Sequence, residues 1–313
     1  MGLNQILPLV QTSVEIGLIT GLTVLALFLS YSMLNVCDLS TDGCFTLGAA
    51  VGGIVSLAGY PWLSLPAAMA AGVVSGFITA VLQTRMGINS LLAGIVVNTG
   101  LYSVNIAIMG GSSQLNMNRA PSVFTLMKDL LAGTVLAPQY KLAVALAAVI
   151  LVAGMLILFL RTRLGLAIRA TGDNPAMVQS SSINPIFTTT VGLCVANSFT
   201  ALSGCLLGQY QKSVNIDIGS GMVTVALASL LIGGVIVAKR RPIPLRAVGA
   251  VLGAILFRIV YALALRFDMP AFMLKLVSSV IVVLAISGPY LRQQLPLMVR
   301  RWKAAREGGR RHA

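Results

Sequence analysis

Nine apolar runs, each about 16 to 23 residues long, leave this chain few ways to fold. They fall at about 12–34, 44–59, 64–82, 88–110, 140–160, 186–208, 221–237, 247–265 and 272–290. A hydrocarbon core takes roughly 20 residues of helix per crossing, and a backbone inside it must satisfy its own hydrogen bonds. The expected fold is an all-α polytopic membrane protein with about nine transmembrane segments, residues 1–313 forming a single transmembrane domain. The runs at 44–59 and 221–237 are short and Gly-rich, which predicts broken or re-entrant helices. Only 10% of the residues are charged, against about 25% in soluble domains. The first 17 residues, MGLNQILPLVQTSVEIG, contain no basic residue, and the apolar run that follows is too long for a signal peptide. Cys37, Cys44, Cys194 and Cys205 have neither metal-ligand spacing nor the look of a disulfide framework.

The net charge of +14 could point to nucleic acid, but its placement fits membrane topology, and no nucleic-acid partner is expected. With the 161–185 connector inside the cell, 15 of the 22 Lys and Arg lie in cytoplasmic segments and six outside, with Arg258 inside a span. The positive-inside rule then sets the N-terminus outside and the C-terminus in the cytoplasm. The basic tail, 291–313, is expected to lie on the anionic inner leaflet. Arg258 could pair with Asp268, face a pathway or meet an anionic solute, the pair being the simplest.

A weak internal repeat runs through the chain at an offset of about 180 residues. Asn35, Asp38 and Gly43 precede one short Gly-rich run; Asn215, Asp217 and Gly221 precede the other. This predicts repeat 1 at about 12–110, a linking segment at 111–185 and repeat 2 at about 186–290. One span between two four-span units makes the second inverted, and such repeats place a pathway at their interface.

The connector is one of the few long polar interruptions in the chain. Asp173-Asn174-Pro175 reads as a helix start, with Asp or Asn capping free N–H groups and Pro suited to the first turn. A helix over 173–182 is too short to span, and Ile183-Asn184-Pro185 redirects the chain into the next span. It could be a lever for another protein or an ordinary capped connector.

Several motifs resemble one family. Arg169-Ala-Thr-Gly-Asp-Asn-Pro-Ala-Met177 followed by Ile183-Asn184, and Ala201-Leu-Ser-Gly204, are similar to the coupling segment of bacterial ABC importer permeases of the ribose and branched-chain amino acid type. Asp38-Leu-Ser40, Gly219-Ser-Gly221 and Leu230-Leu-Ile-Gly-Gly234 carry the same resemblance. Two departures stand out: Ser182 occupies a position where the family usually has Gly, and nine spans without an extra N-terminal crossing are fewer than in many relatives. The details look closest to a subgroup paired with tryptophan/tyrosine-type binding lipoproteins.

The resemblance implies an inner-membrane transport subunit with no catalytic residues and no metal or cofactor of its own. ATP and Mg would be held by a separate ABC ATPase, and the chain indeed carries no Walker-type phosphate loop. A second permease subunit, first of all another copy of this chain, and an external substrate-binding lipoprotein complete the expected assembly. Arg169, Gly172, Asp173, Asn174, Pro175, Met177, Ile183 and Asn184 are the expected coupling residues. Asp38, Ser40, Asp42, Asn98, Asn105, Asn197, Asn215 and Asp217 are the candidate pathway residues, since polar groups at membrane depth face protein or water; capping and interhelical hydrogen bonds are the alternative roles. The expected solute is small and polar, an amino acid first and an aromatic one in particular, with a sugar or nucleoside as the alternative. A stand-alone secondary transporter or channel is the reading from another class. A membrane enzyme is disfavoured, because the lone histidine, His312, lies in the tail.

Overall fold

The computed structural model describes residues 3–132, 139–237 and 241–265, with isolated positions between 276 and 287. The expected span at 272–290 falls almost wholly outside the described residues, as do Asp268 and the tail. The remaining eight runs all become helices. They are α1 (Leu3–Leu27), α2 (Thr41–Leu57), α3 (Pro61–Thr84), α4 (Ser90–Ile108), α6 (Tyr140–Arg161), α9 (Pro185–Gln211), α10 (Met222–Ile236) and α11 (Ile243–Leu265). Short helices α5 (Val123–Leu130), α7 (Arg163–Asp173) and α8 (Pro175–Ser180) complete the helical set. Among the described residues seven stretches are long and apolar enough to cross a membrane. The short run at 44–59 is α2, with 17 residues. The run at 221–237 becomes a 15-residue helix and reaches crossing length only with the 3₁₀ turn Ile216–Gly219 in front of it.

α1 runs directly into a six-residue π-helix, Phe28–Met33, and the chain then breaks at Asn35, whose φ is +56°. The sequence pattern contains no sign of the π-helix. Two three-residue strands, β1 (Gln114–Asn116) and β2 (Ser213–Asn215), pair antiparallel with Gln114 opposite Asn215. They join the loop after α4 to the loop after α9.

Helices α1 and α9 form the centre. In each, 83% of the apolar window is buried, against 28–44% in the other spans. Val74, Phe77, Ile150, Leu151 and Leu158 on α3 and α6 are exposed, as expected for faces that meet lipid. α9 lies against α2, α3 and α1, and α11 against α10 and α1. Small residues permit this closeness. A Cβ at Gly48 would strike Ala201, one at Gly204 would strike Phe45, and one at Gly72 would meet the Asn197 carbonyl. Gly233 abuts Gly249 across the α10–α11 contact. Gly234, next to Gly233, faces open space.

Candidate functional site

The break between α1 and α2 carries a buried carboxylate. Asp38 is 2% exposed. Its Oδ1 accepts from the Ser40 N–H at 2.8 Å and the Ser40 hydroxyl at 2.6 Å, and its Oδ2 accepts from Asn197 Nδ2 at 2.7 Å. Thr79 of α3 donates to the Ser40 hydroxyl at 3.2 Å. A polar group in an apolar bundle is costly to bury without such partners. Asn197 lies 12 residues into α9, roughly 18 Å along its axis, so this knot sits near mid-depth. It ties the break to α3 and α9. Asp38, Ser40 and Asn197 are buried beneath the surface and do not border the cavity beside Asp42 described next.

Asp42, four residues on, has a different role. Its two carboxylate oxygens accept the Gly221 N–H at 2.9 Å and the Val223 N–H at 2.8 Å. It therefore caps α10 from α2, at the helix end whose free N–H groups favour an anion. The N-termini of the two short helices thus meet. Beside them lies a cavity of about 310 Å³, bordered by Asp42, Asn98, Tyr102, Asn105, Asp217 and Ser220. Asn105 donates to the Gly43 carbonyl at 3.1 Å, while its Oδ1 is buried without a hydrogen-bond partner among the described residues. Asn215 is outside this border; it is exposed and accepts the Asp217 N–H at 3.1 Å, capping the 3₁₀ turn. The structure therefore gathers four of the eight candidate pathway residues at the cavity, Asp42, Asn98, Asn105 and Asp217, joins Asp38, Ser40 and Asn197 in the buried knot, and leaves Asn215 outside both.

The connector differs in detail from the sequence pattern. The expected helix over 173–182 is α8, Pro175–Ser180, and Asp173 ends the separate helix α7. Asn174, not Asp173, is the cap: its Oδ1 accepts the Ala176 and Met177 N–H groups, each at 3.1 Å. Asn184 likewise caps α9 through the Ile186 N–H at 2.9 Å. Met177 is 68% exposed, while Val178 beside it is buried. Asp173, Asn174, Pro175, Ile183 and Asn184 are exposed and Arg169 is half-buried. Thr171 shares a 2.8 Å hydrogen bond with Thr188 of α9. Gly172 abuts the Met33 carbonyl and the Leu34 backbone, where no side chain would fit. The connector thus rests directly on the end of the π-helix, five residues before Asp38.

A family model described as a branched-chain amino acid transport system / permease component matches residues 11–286. The chain belongs to this permease family. The permease is 29% identical to the tyrosine transport system permease protein of Clostridioides difficile, over 85% of this chain and 86% of that protein. It is 25% identical to the guanosine ABC transporter permease protein NupQ of Bacillus subtilis, over 84% of this chain and 86% of that protein. A probable branched-chain amino acid transport permease protein, LivH of Methanocaldococcus jannaschii, is 24% identical over 68% of this chain and 69% of that protein. No solved structure matches the chain. Family and apolar helices together make it a multi-pass membrane protein, the permease of an ABC importer.

Two features of the permease escaped sequence reading. Glu15, 4% exposed in α1, accepts from the Tyr210 hydroxyl at 2.8 Å and from Gln11 Nε2 at 3.1 Å. The Lys141 ammonium lies 4.6 Å over the Tyr210 ring. A glutamate inside the first span was the available signal. Gln209 bridges α9 to Ser64 of α3 and to the Val123 N–H that opens α5, and nothing local marks it. Arg258 stacks 5.9 Å over Tyr261, and its Nε is buried without a hydrogen-bond partner among the described residues. Among those residues no group of three or more His, Cys, Asp or Glu could hold a metal ion.

Proposed function

We propose that the permease forms the path for a small polar solute, an amino acid first and an aromatic one in particular, delivered from outside by a binding lipoprotein. A separate ATPase docks on α8 and its surroundings, and a second copy of the chain closes the path. One observation carries this reading: a single short stretch, Met33–Asp42, links the exposed connector to the cavity. Gly172 presses on Met33, Asp38 anchors the stretch to α9, and Asp42 reaches the cavity. Motion of α7 and α8 therefore reaches the cavity through about nine residues of chain. Switching between two packings of the bundle is how such a coupling does work.

The N-terminus lies outside and the C-terminus in the cytoplasm on this reading, with ATP and Mg bound by the partner and no cofactor held by the chain. Inverted repeats are supported by the Asp42 bonds to Gly221 and Val223, 179 and 181 residues away, close to the repeat offset. The amino acid assignment is favoured by the similarity to a tyrosine permease; the guanosine permease supports the nucleoside alternative. The test is uptake into liposomes holding the full chain, its ATPase and its binding protein. ATP-dependent entry of tyrosine is expected. Guanosine entry without tyrosine entry would reassign the solute, and uptake without the ATPase would establish a stand-alone transporter instead.

A further inference from the structure

The cavity beside Asp42 has a lopsided chemistry. Asp42 and Asp217 border it, and no Lys or Arg among the described residues does. Asp42 is spent, because both of its oxygens hold backbone N–H groups of α10. Asp217 is not spent: it is exposed, and its carboxylate has no partner among the described residues. Two threonine hydroxyls on its wall add acceptors. Thr46 donates its hydroxyl to the Asp42 and Ile216 carbonyls and Thr99 donates to the Ile95 carbonyl, so each offers the cavity only lone pairs. Asn105 is 1% exposed, and its Oδ1 has no hydrogen-bond partner among the described residues. The cavity thus has two carboxylates and the acceptors of Thr46 and Thr99 on its wall, beside Asn98 and Ser220, which can donate as well as accept, and Tyr102 borders it. An ammonium group supplies three donors and no acceptor and binds favourably over an aromatic face. A phosphate or an isolated carboxylate would meet no cation here.

We propose that this cavity is a subsite for a protonated amine, with Asp217 as the counter-charge and the ring of Tyr102 beside it. This rests on the path reading above and narrows it: the solute presents an ammonium group, which disfavours neutral sugars and nucleosides. The test uses the full chain in lipid nanodiscs with Ser220→Cys, in a background of Cys37→Ser and Cys194→Ser. The thiol at position 220 is modified with a cationic trimethylammonium methanethiosulfonate, an anionic sulfonate analogue and the neutral methyl reagent.

After correction for free-thiol reactivity, the cation should react about tenfold faster than the anion, as one carboxylate a few ångströms away implies in a water-like medium. Asp217→Asn should bring the ratio close to one. Millimolar tyramine should slow the neutral reagent, and 3-(4-hydroxyphenyl)propionate, of similar shape but anionic, should not. Equal rates, an anion preference, no reaction with the neutral reagent, or equal protection by both probes would each overturn the amine subsite. ATP-driven uptake alongside any of these results would leave the permease path standing. A cation preference with tyramine protection but no ATP-driven uptake would count against the path alone.

Discussion

Ser182 has a φ of +60°, in the left-handed region that costs a side chain about 1–2 kcal/mol. It is also where the chain departs from the family pattern of Gly before Ile-Asn, so the missing glycine is a backbone matter: the turn from α8 into α9 asks for it. Ser182→Gly should raise stability by about 0.5–1 kcal/mol after the added chain entropy is counted, read as a higher melting temperature without loss of uptake. Asn197 lies at the other extreme, with its Nδ2 facing a buried carboxylate. Asn197→Ala leaves Asp38 Oδ2 without its 2.7 Å donor and should cost about 1.5–3 kcal/mol. Adding Asp38→Asn should recover part of that cost, a non-additivity that thermal denaturation of the four variants measures.

At the scale of elements, the π-helix Phe28–Met33, the break at Asn35 and the connector helices act as one unit. Val36 donates to the Ser30 carbonyl and Leu34 to Leu29, so the end of α1 is held by its own backbone, and Gly172 closes on it from α7. Arg246 of α11 adds a 2.8 Å bond to Ser32. Gly172→Val forces α7 off Met33 and should lower solute imported per ATP at least severalfold while ATP hydrolysis continues. Asn174→Ala removes the α8 cap, worth about 1 kcal/mol, and should give a milder loss in the same ratio. Parallel measurement of uptake and phosphate release in liposomes separates both from simple unfolding; an unchanged ratio in Gly172→Val would refute the coupling contact.

For the whole molecule, the charge asymmetry and the fold make a joint prediction about sidedness. Ser181, beside α8, and Ser112, beside β1, are both exposed and lie at opposite ends of the bundle, after α8 and after α4. In right-side-out vesicles a membrane-impermeant maleimide should label Ser112→Cys and spare Ser181→Cys, and inverted vesicles should reverse the pattern. The reverse result would turn the whole assignment over.

Eight of the nine helical runs, the short α2 and α10, and the capped connector could be read from the chain itself. Hydropathy, Gly content and the Asn-Pro caps act within a few residues of where they are written. The role of each polar residue could not be read that way. Asp38 meets Asn197 across 159 positions and Asp42 meets Gly221 across 179, so two aspartates four residues apart become a buried anchor and an inter-helix cap. Local composition treats both as candidate pathway residues. Only the packing of α2 against α9, backbone to backbone at Gly48 and Gly204, decides that one carboxylate is enclosed, another is spent on α10, and Asp217 is left facing the cavity.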